Sequence, residues 1–355
     1  MKTVRLGTRK SALAMAQANW TANTLRAAFP DVKAEIVLIT TSGDMLQPSS
    51  GLRPPSPASS REKADPSPAL SQLQLGEGAR RAGEGANLKA LFTKEIEEAL
   101  LDHRIDLAVH SLKDMSADLP QGLVIGAVPS REDPRDVWIS KTNVPFRDLP
   151  KNATIGTGAV RRQAQLKRLL PAAVLVAIRG NVDTRLKRLA EGTLDGIILA
   201  HAGLRRLGLE KAVTEVLPIE LLLPAVGQGC LGIQIRDREN AMAPFMKVLD
   251  HPPSHAAAKA ERAFLKTLGG NCQTPIAGYA SIESGELTML GLVISPDGKQ
   301  CVSAKENGRH FDAAGIGHRL AQKLLAAGAD KILKTSSPSA PLGDPTMDSR
   351  LRPRE

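Results

Sequence analysis

The residue with the clearest chemical potential is Cys272, set in Gly269–Gly270–Asn271–Cys272–Gln273–Thr274–Pro275. Two residues without a Cβ leave room beside the thiol, and a thiolate so placed is a competent nucleophile toward carbon. A small thiol in such a turn can equally pack as a buried hydrophobe. The second chemical theme is cationic. Arg9 with Ser11, Lys113, Arg161 with Arg162, Arg179 with Arg185, and Arg206 recur where an apolar strand-like run passes into a helix-like one. Helix N-termini at such junctions present free N–H groups and a positive dipole end to anions. Guanidinium forks add bidentate carboxylate recognition. Together they describe a site for a ligand bearing many carboxylates or phosphates. Asp114 is a carboxylate among these cations: either the partner of Lys113 in a surface pair, or a group that shuttles a proton and stabilises developing positive charge. His110, four residues earlier, reads as a core histidine.

Composition narrows what the ligand can be. A net charge of +10 invites a nucleic-acid reading, but aromatic residues make up only 3% of the chain. That leaves little for a base-stacking platform, and the arginines sit singly or in pairs rather than in one run, so no nucleic-acid partner is expected. Neither a GxxxxGK[ST] loop nor a GxGxxG fingerprint accompanies the strands, which argues against nucleotides. Three cysteines without a CxxC pair indicate neither a disulfide framework nor a zinc ribbon, and no metal site is expected. The first residues lack the apolar stretch of a signal peptide, and no run approaches the roughly 18–20 apolar residues that span a bilayer. A cytoplasmic protein with reduced thiols and no membrane partner is the expectation.

The elements that must position these side chains follow from periodicity. Residues 3–8 and 33–39 read as strands around a helix with Leu13, Ala16, Trp20, Thr24 and Ala27 on one face, capped by Ser11. Trp20, Trp138 and Met15 fit core positions. Residues 46–86, rich in Pro, Ser and Gly, cannot bury enough apolar surface to offset their ordering entropy and are read as a disordered insertion. Leu88, Leu91, Phe92, Ile96 and Leu100 form the next helical face, and 104–111 the next strand. PSREDPRD (129–136) suits a domain crossing. Strands at 153–158, 173–178 and 195–200 each lead into a helix, carrying Arg161–Arg162, Arg185 (after Asn181 as cap) and Arg205–Arg206. A Gly-rich loop and strand occupy 224–236, a helix 255–268, then three strands at 276–282, 286–295 and 299–306, a helix at 312–328 and a polar tail from 335.

These residues occur in motifs that resemble one family, hydroxymethylbilane synthase, also called porphobilinogen deaminase. The matching stretches are TRKSALAMAQ (8–17), LFTKEIEEALL (91–101), DLAVHSLKD (106–114), PSREDPRD, RRQAQL (161–166), RGNVDTRL (179–186), AGLRRLGL (202–209), PAVGQG (224–229) and GGNCQTPIAGYA (269–280). They run in order over nearly the whole chain outside 46–86 and the tail.

The resemblance implies an α/β protein with two periplasmic-binding-protein-like domains around a cleft and a small α+β C-terminal domain. Their bounds would be 1–130 with a return segment at about 228–248, 131–227, and 249–334 for the part anchoring the cofactor. It implies a monomeric transferase of tetrapyrrole (heme) biosynthesis that joins four porphobilinogen molecules head to tail, releases ammonia and hydrolyses the product to hydroxymethylbilane. On the same basis Cys272 would hold a dipyrromethane cofactor through a thioether, with Ser11, Lys113, Arg161, Arg162, Arg185 and Arg206 around it. Arg9, Arg179, Lys89 and Phe92 would meet the substrate, and Asp114 would be the catalytic acid/base. The chain departs from the pattern at NLKALF (87–92), where the family has GGKGLF, at KDMS (113–116) for KDVP, and at GTGA (156–159) for GTSS. Two other readings remain. A non-catalytic two-lobed anion-binding protein would use the arginines but give Cys272 and Asp114 no task, and a thiol hydrolase lacks a histidine partner for Cys272.

Overall fold

The computed structural model describes residues 2–42, 90–270 and 274–336. The expected insertion, Lys89, Cys272 and most of the tail lie outside these residues, and so does the side chain of Phe92.

The chain opens with β1 (Lys2–Thr8), α1 (Ala12–Ala28) and β2 (Val32–Leu38), continues through α2 (Ala90–Leu101) into β3 (Leu107–Ser111), and reaches β4 (Leu123–Ala127). After a crossing segment come β5 (Asp136–Ser140), β6 (Thr154–Gly156), α3 (Val160–Leu169), β7 (Val174–Val176), α4 (Val182–Ala190), β8 (Gly196–Ala200), α5 (His201–Arg206) and β9 (Glu215–Val216). A second crossing returns the chain to β10 (Leu231–Arg236) and α6 (Ala243–Leu249). The remainder is α7 (Pro252–Thr267), β11 (Ile276–Glu283), β12 (Glu286–Ile294), β13 (Cys301–Arg309), α8 (Ala313–Leu324) and α9 (Asp330–Ser336).

The first two sheets share one topology. Strand order is β2-β1-β3-β10-β4 in one and β7-β6-β8-β5-β9 in the other. In each, three strands run parallel and the fourth enters antiparallel immediately after a crossing: β10 against β3 and β4, β5 against β8 and β9. The protein is therefore mixed α/β, with two five-stranded lobes joined by two crossings and followed by an antiparallel sheet of order β11-β12-β13.

Strand alternation explains why both sheet faces are covered. In β5 and β8, Val137, Ile139, Ile197 and Leu199 feed one core while Trp138 and Ile198 feed the other, as a period of two requires when helices lie on both sides. Trp138 is fully buried, and its indole N–H donates to the Val144 carbonyl at 2.9 Å, so its polar atom is satisfied. In the first lobe Val4, Leu6, Leu107, Val109 and Ile233 pack with Ala22, Leu25 and Phe245 on one face, while Ile96, Leu100 and Ile105 close the other.

Two expectations for α1 need correction. The buried face is Gln17, Ala18, Thr21, Ala22 and Leu25, not the face through Leu13, Ala16, Trp20, Thr24 and Ala27. Trp20 is 47% exposed and Met15 only half-buried. Small side chains face the sheet because they permit close approach, and the helix start faces the cleft. The cap itself is as expected: the Ser11 hydroxyl accepts from the Ala14 N–H at 3.3 Å. Asn181 holds the N-cap position of α4, but its side chain makes no capping bond.

Candidate active site

Strands β3, β6 and β8 end on the same side of their sheets, and the chain leaving each one delivers the polar residues. From β3 the chain turns through Leu112–Asp114, a single 3-10 turn carrying Lys113 and Asp114. Residues 157–159 link β6 to Arg161 and Arg162 in the first turn of α3, and β8 runs directly into α5 with Arg206 in its last turn. Gly227, in the second crossing, has φ +74°, and a Cβ there would lie 3.0 Å from the Lys113 amide nitrogen. The loop 224–229 thus packs directly on the turn that carries Lys113.

Two cavities meet at this turn. The larger, about 430 Å³, lies between the two lobes and is lined by Arg9, Ser11, Gln17, His110, Lys113, Asp114, Arg162, Asp183, Arg185, Arg206 and Cys230 among others. Five cationic side chains face two carboxylates there. The smaller, about 240 Å³, is lined by Lys113, Asp114, Arg161, Arg162, Arg185, Gln228, Leu265, Thr274 and Ile276. It reaches Thr274, two residues beyond Cys272 in the sequence. Lys113, Asp114, Arg162 and Arg185 line both.

Of the residues singled out in the sequence, Arg9, Ser11, Lys113, Asp114, Arg161, Arg162, Arg185 and Arg206 line one or both cavities. Arg179 is exposed and lines neither. Among the described residues no group of three or more His, Cys, Asp or Glu side chains could hold a metal.

Arg161 and Arg162 are less available than their positions suggest. Both are buried, at 5% and 4% exposure, and both pair with Asp136, at 2.9 and 2.8 Å. Arg161 also donates to the Leu223 carbonyl at 2.6 Å and Arg162 to the Ile198 carbonyl at 3.0 Å. Gln228 completes the cluster, donating to Asp136 at 2.7 Å. Burial alone would raise the Asp136 carboxyl, but the charges of Arg161 and Arg162 hold it at about 2. Two buried cations against one carboxylate leave excess positive charge in a dry region. Arg162 Nε is buried without a partner among the described residues, a donor suited to a ligand carboxylate. Burial also lowers Arg161, Arg185 and Arg206, and it pushes the Lys113 ammonium down to about 8 against the pull of Asp114.

The sequence reading missed Asp136, Gln228 and a second buried pair, Arg131–Glu261. Arg131 donates to Glu261 at 2.6 Å and to the Gln228 carbonyl at 2.9 Å. The Glu261 carboxylate also accepts from the Gly227 N–H at 2.6 Å and the Ala280 N–H at 2.8 Å. A charged residue from α7 thus ties together both crossings and β11. PSREDPRD is dense in charge, but nothing in it shows which of its charges are buried or what they pair with.

Comparison with known families decides the identity of this arrangement. The model described as "Porphobilinogen deaminase, dipyromethane cofactor binding domain" matches residues 4–52 and 80–244, and "Porphobilinogen deaminase, C-terminal domain" matches 255–326. This chain belongs to the porphobilinogen deaminase family. The porphobilinogen deaminase of Syntrophomonas wolfei is 43% identical over 333 residues, covering 94% of this chain and 98% of its own. That of Trichlorobacter lovleyi is 44% identical over 333 residues, covering 94% and 96%. Among solved structures, a periplasmic binding protein of Salmonella typhimurium with high arginine specificity aligns at TM-score 0.35 and 15% identity, covering 70% of this chain and 92% of its own. The family match is interrupted over 53–79, within the stretch read from sequence as an insertion. The dipyrromethane of a porphobilinogen deaminase carries carboxylates, and the excess buried cations with the unpartnered Arg162 Nε fit such a group. No helix among the described residues is long and apolar enough to cross a membrane.

Proposed function

We propose that this porphobilinogen deaminase family member is a hydroxymethylbilane synthase. It condenses four porphobilinogen molecules head to tail, releases ammonia, and frees hydroxymethylbilane by hydrolysis. The observation that carries the residue assignment is the meeting of two cationic cavities at Lys113 and Asp114. When bound, a dipyrromethane on Cys272 would supply the pyrrole carbon to which the first unit is joined and keep the growing chain tethered. Lys113, Arg162, Arg185 and Arg206, with Ser11, hold carboxylates by charge-assisted hydrogen bonds. Arg161 acts with them through the shared Asp136 pair. Arg9 receives carboxylates of the incoming substrate from the larger cavity, with Arg179, Lys89 and Phe92 assigned to the same task. Loss of ammonia makes the methylene carbon of the incoming pyrrole electron-poor, and Asp114, at the junction, stabilises that charge and takes up the proton released after carbon–carbon bond formation.

The domain division we infer places 1–130 and about 228–248 in the first lobe, 131–227 in the second, and 249–334 in the part that anchors the cofactor. A monomer acting in the cytoplasm, with neither nucleic acid nor membrane as partner, completes the reading. The test is porphobilinogen consumption by the purified protein with hydroxymethylbilane as product. Asp114→Asn should lower kcat by about 100-fold or more while retaining the fold. No turnover by the unaltered protein, or full turnover by the variant, would overturn the proposal.

A further inference from the structure

His110 was read from sequence as a core histidine, and it is indeed only 7% exposed. It also lines the larger cavity, and a chain of polar groups running outward from it dictates its chemistry. Its Nε2 lies 3.0 Å from Gln234 Oε1, and Gln234 Nε2 donates to Glu97 Oε1 at 3.0 Å. Gln234 is fully buried. Burial raises the Glu97 carboxyl, while hydrogen bonds from Gln234 and Thr93 favour its ionised form. As a carboxylate it only accepts, so it requires the NH2 end of Gln234, which turns the amide oxygen toward His110. That oxygen requires a proton on Nε2. Nδ1 is thereby left as a lone-pair acceptor. The charged groups that act on the ring from neighbouring elements are Asp114 and Arg9, and burial, the larger influence, keeps the imidazole neutral, with its pKa pushed down to about 4.

From this hydrogen-bond chain we infer that His110 Nδ1 is the acceptor for the aminomethyl nitrogen of incoming porphobilinogen, with Gln234 and Glu97 as positioning residues. The inference rests on the synthase reading above. An aminomethyl group enters as an ammonium with three N–H donors, and a neutral acceptor binds it without the repulsion an imidazolium would exert. As the carbon–nitrogen bond breaks, its electron pair leaves on nitrogen as ammonia, and the pyrrole nitrogen lone pair supplies the new double bond to carbon. His110 neither gains nor loses a proton. It orients the leaving nitrogen, while Asp114 attends to the carbon.

The test compares two ligands on cofactor-loaded protein: porphobilinogen, and an analogue with methyl in place of aminomethyl acting as a competitive inhibitor. His110→Asn should lower kcat/KM for porphobilinogen on the order of 10- to 100-fold, the range for a lost hydrogen bond to a charged group, and leave inhibition by the methyl analogue unchanged. Equal losses for both ligands would mean a structural role, and no loss for either would mean no role; each overturns the inference. If the unaltered protein consumes no porphobilinogen, the synthase reading itself fails. A measurement on that protein needs no variant: nitrogen-15 NMR should find His110 neutral with its proton on Nε2 at pH 7. A proton on Nδ1, or a charged ring, would contradict the assignment.

Discussion

Lys113 and Asp114 are neighbours in sequence, yet Lys113 is only partly accessible and Asp114 is exposed at the junction of the two cavities. The low pKa of Lys113, about 8, has two consequences of opposite sign. Between that value and the usual 10.5 the unfolded chain binds more protons, so folding stability rises with pH across this window. Anion binding falls across it, because the neutral amine no longer attracts a carboxylate. Cofactor-free protein should therefore acquire its cofactor more slowly as pH rises through about 8, and Lys113→Arg should remove that fall. The check is the rate of cofactor acquisition against pH, and a flat profile for the unaltered protein would contradict it. The cationic junctions were legible in the sequence because an arginine or lysine follows an apolar run at each. The tethering of Arg161 and Arg162 by Asp136 was not, since Asp136 closes a Pro-containing polar motif and nothing local marks it as buried.

At the scale of elements, that Asp136 pairing joins the antiparallel strand β5 to the start of α3. The two buried guanidinium groups tolerate each other only through the carboxylate between them. Asp136→Asn should destabilise the fold by about 3–5 kcal/mol, the range for a buried charge left unpaired, as measured by urea unfolding. Because the carboxyl is held at about 2, its contribution is complete above the ordinary carboxylate range and is lost as pH falls toward that value. The strand-to-helix alternation was readable from periodicity, but the buried face of α1 was not. Residue size misled there: Ala18 and Ala22 face the sheet while Trp20 faces solvent. The departure from GTSS to GTGA also has a local reason, for a Cβ at Gly158 would lie 2.5 Å from the Ile178 carbonyl oxygen. With the backbone as it stands, serine would not fit at that position.

For the whole molecule, the buried Arg131–Glu261 pair is a charged contact that holds the C-terminal sheet against both crossings. No local pattern predicts it, because its partners lie 130 residues apart. Glu261→Gln keeps the size but removes the charge, so Arg131 is left buried with a weaker partner. We expect a loss of about 3–5 kcal/mol and reduced cofactor retention, since the smaller cavity is lined by Leu265 of α7 and Ile276 of β11, two of the pieces this pair joins. Thermal unfolding followed on cofactor-loaded protein would check the first, and pyrrole absorbance after gel filtration the second. A tether is central to the proposed function: two cationic cavities share Asp114, and the smaller reaches Thr274, two residues from Cys272 in the sequence. The intact mass of the purified protein tests that claim most directly. The account predicts an added mass of two linked pyrrole units that disappears in Cys272→Ser. An unmodified chain, in a preparation that also fails to consume porphobilinogen, would contradict it.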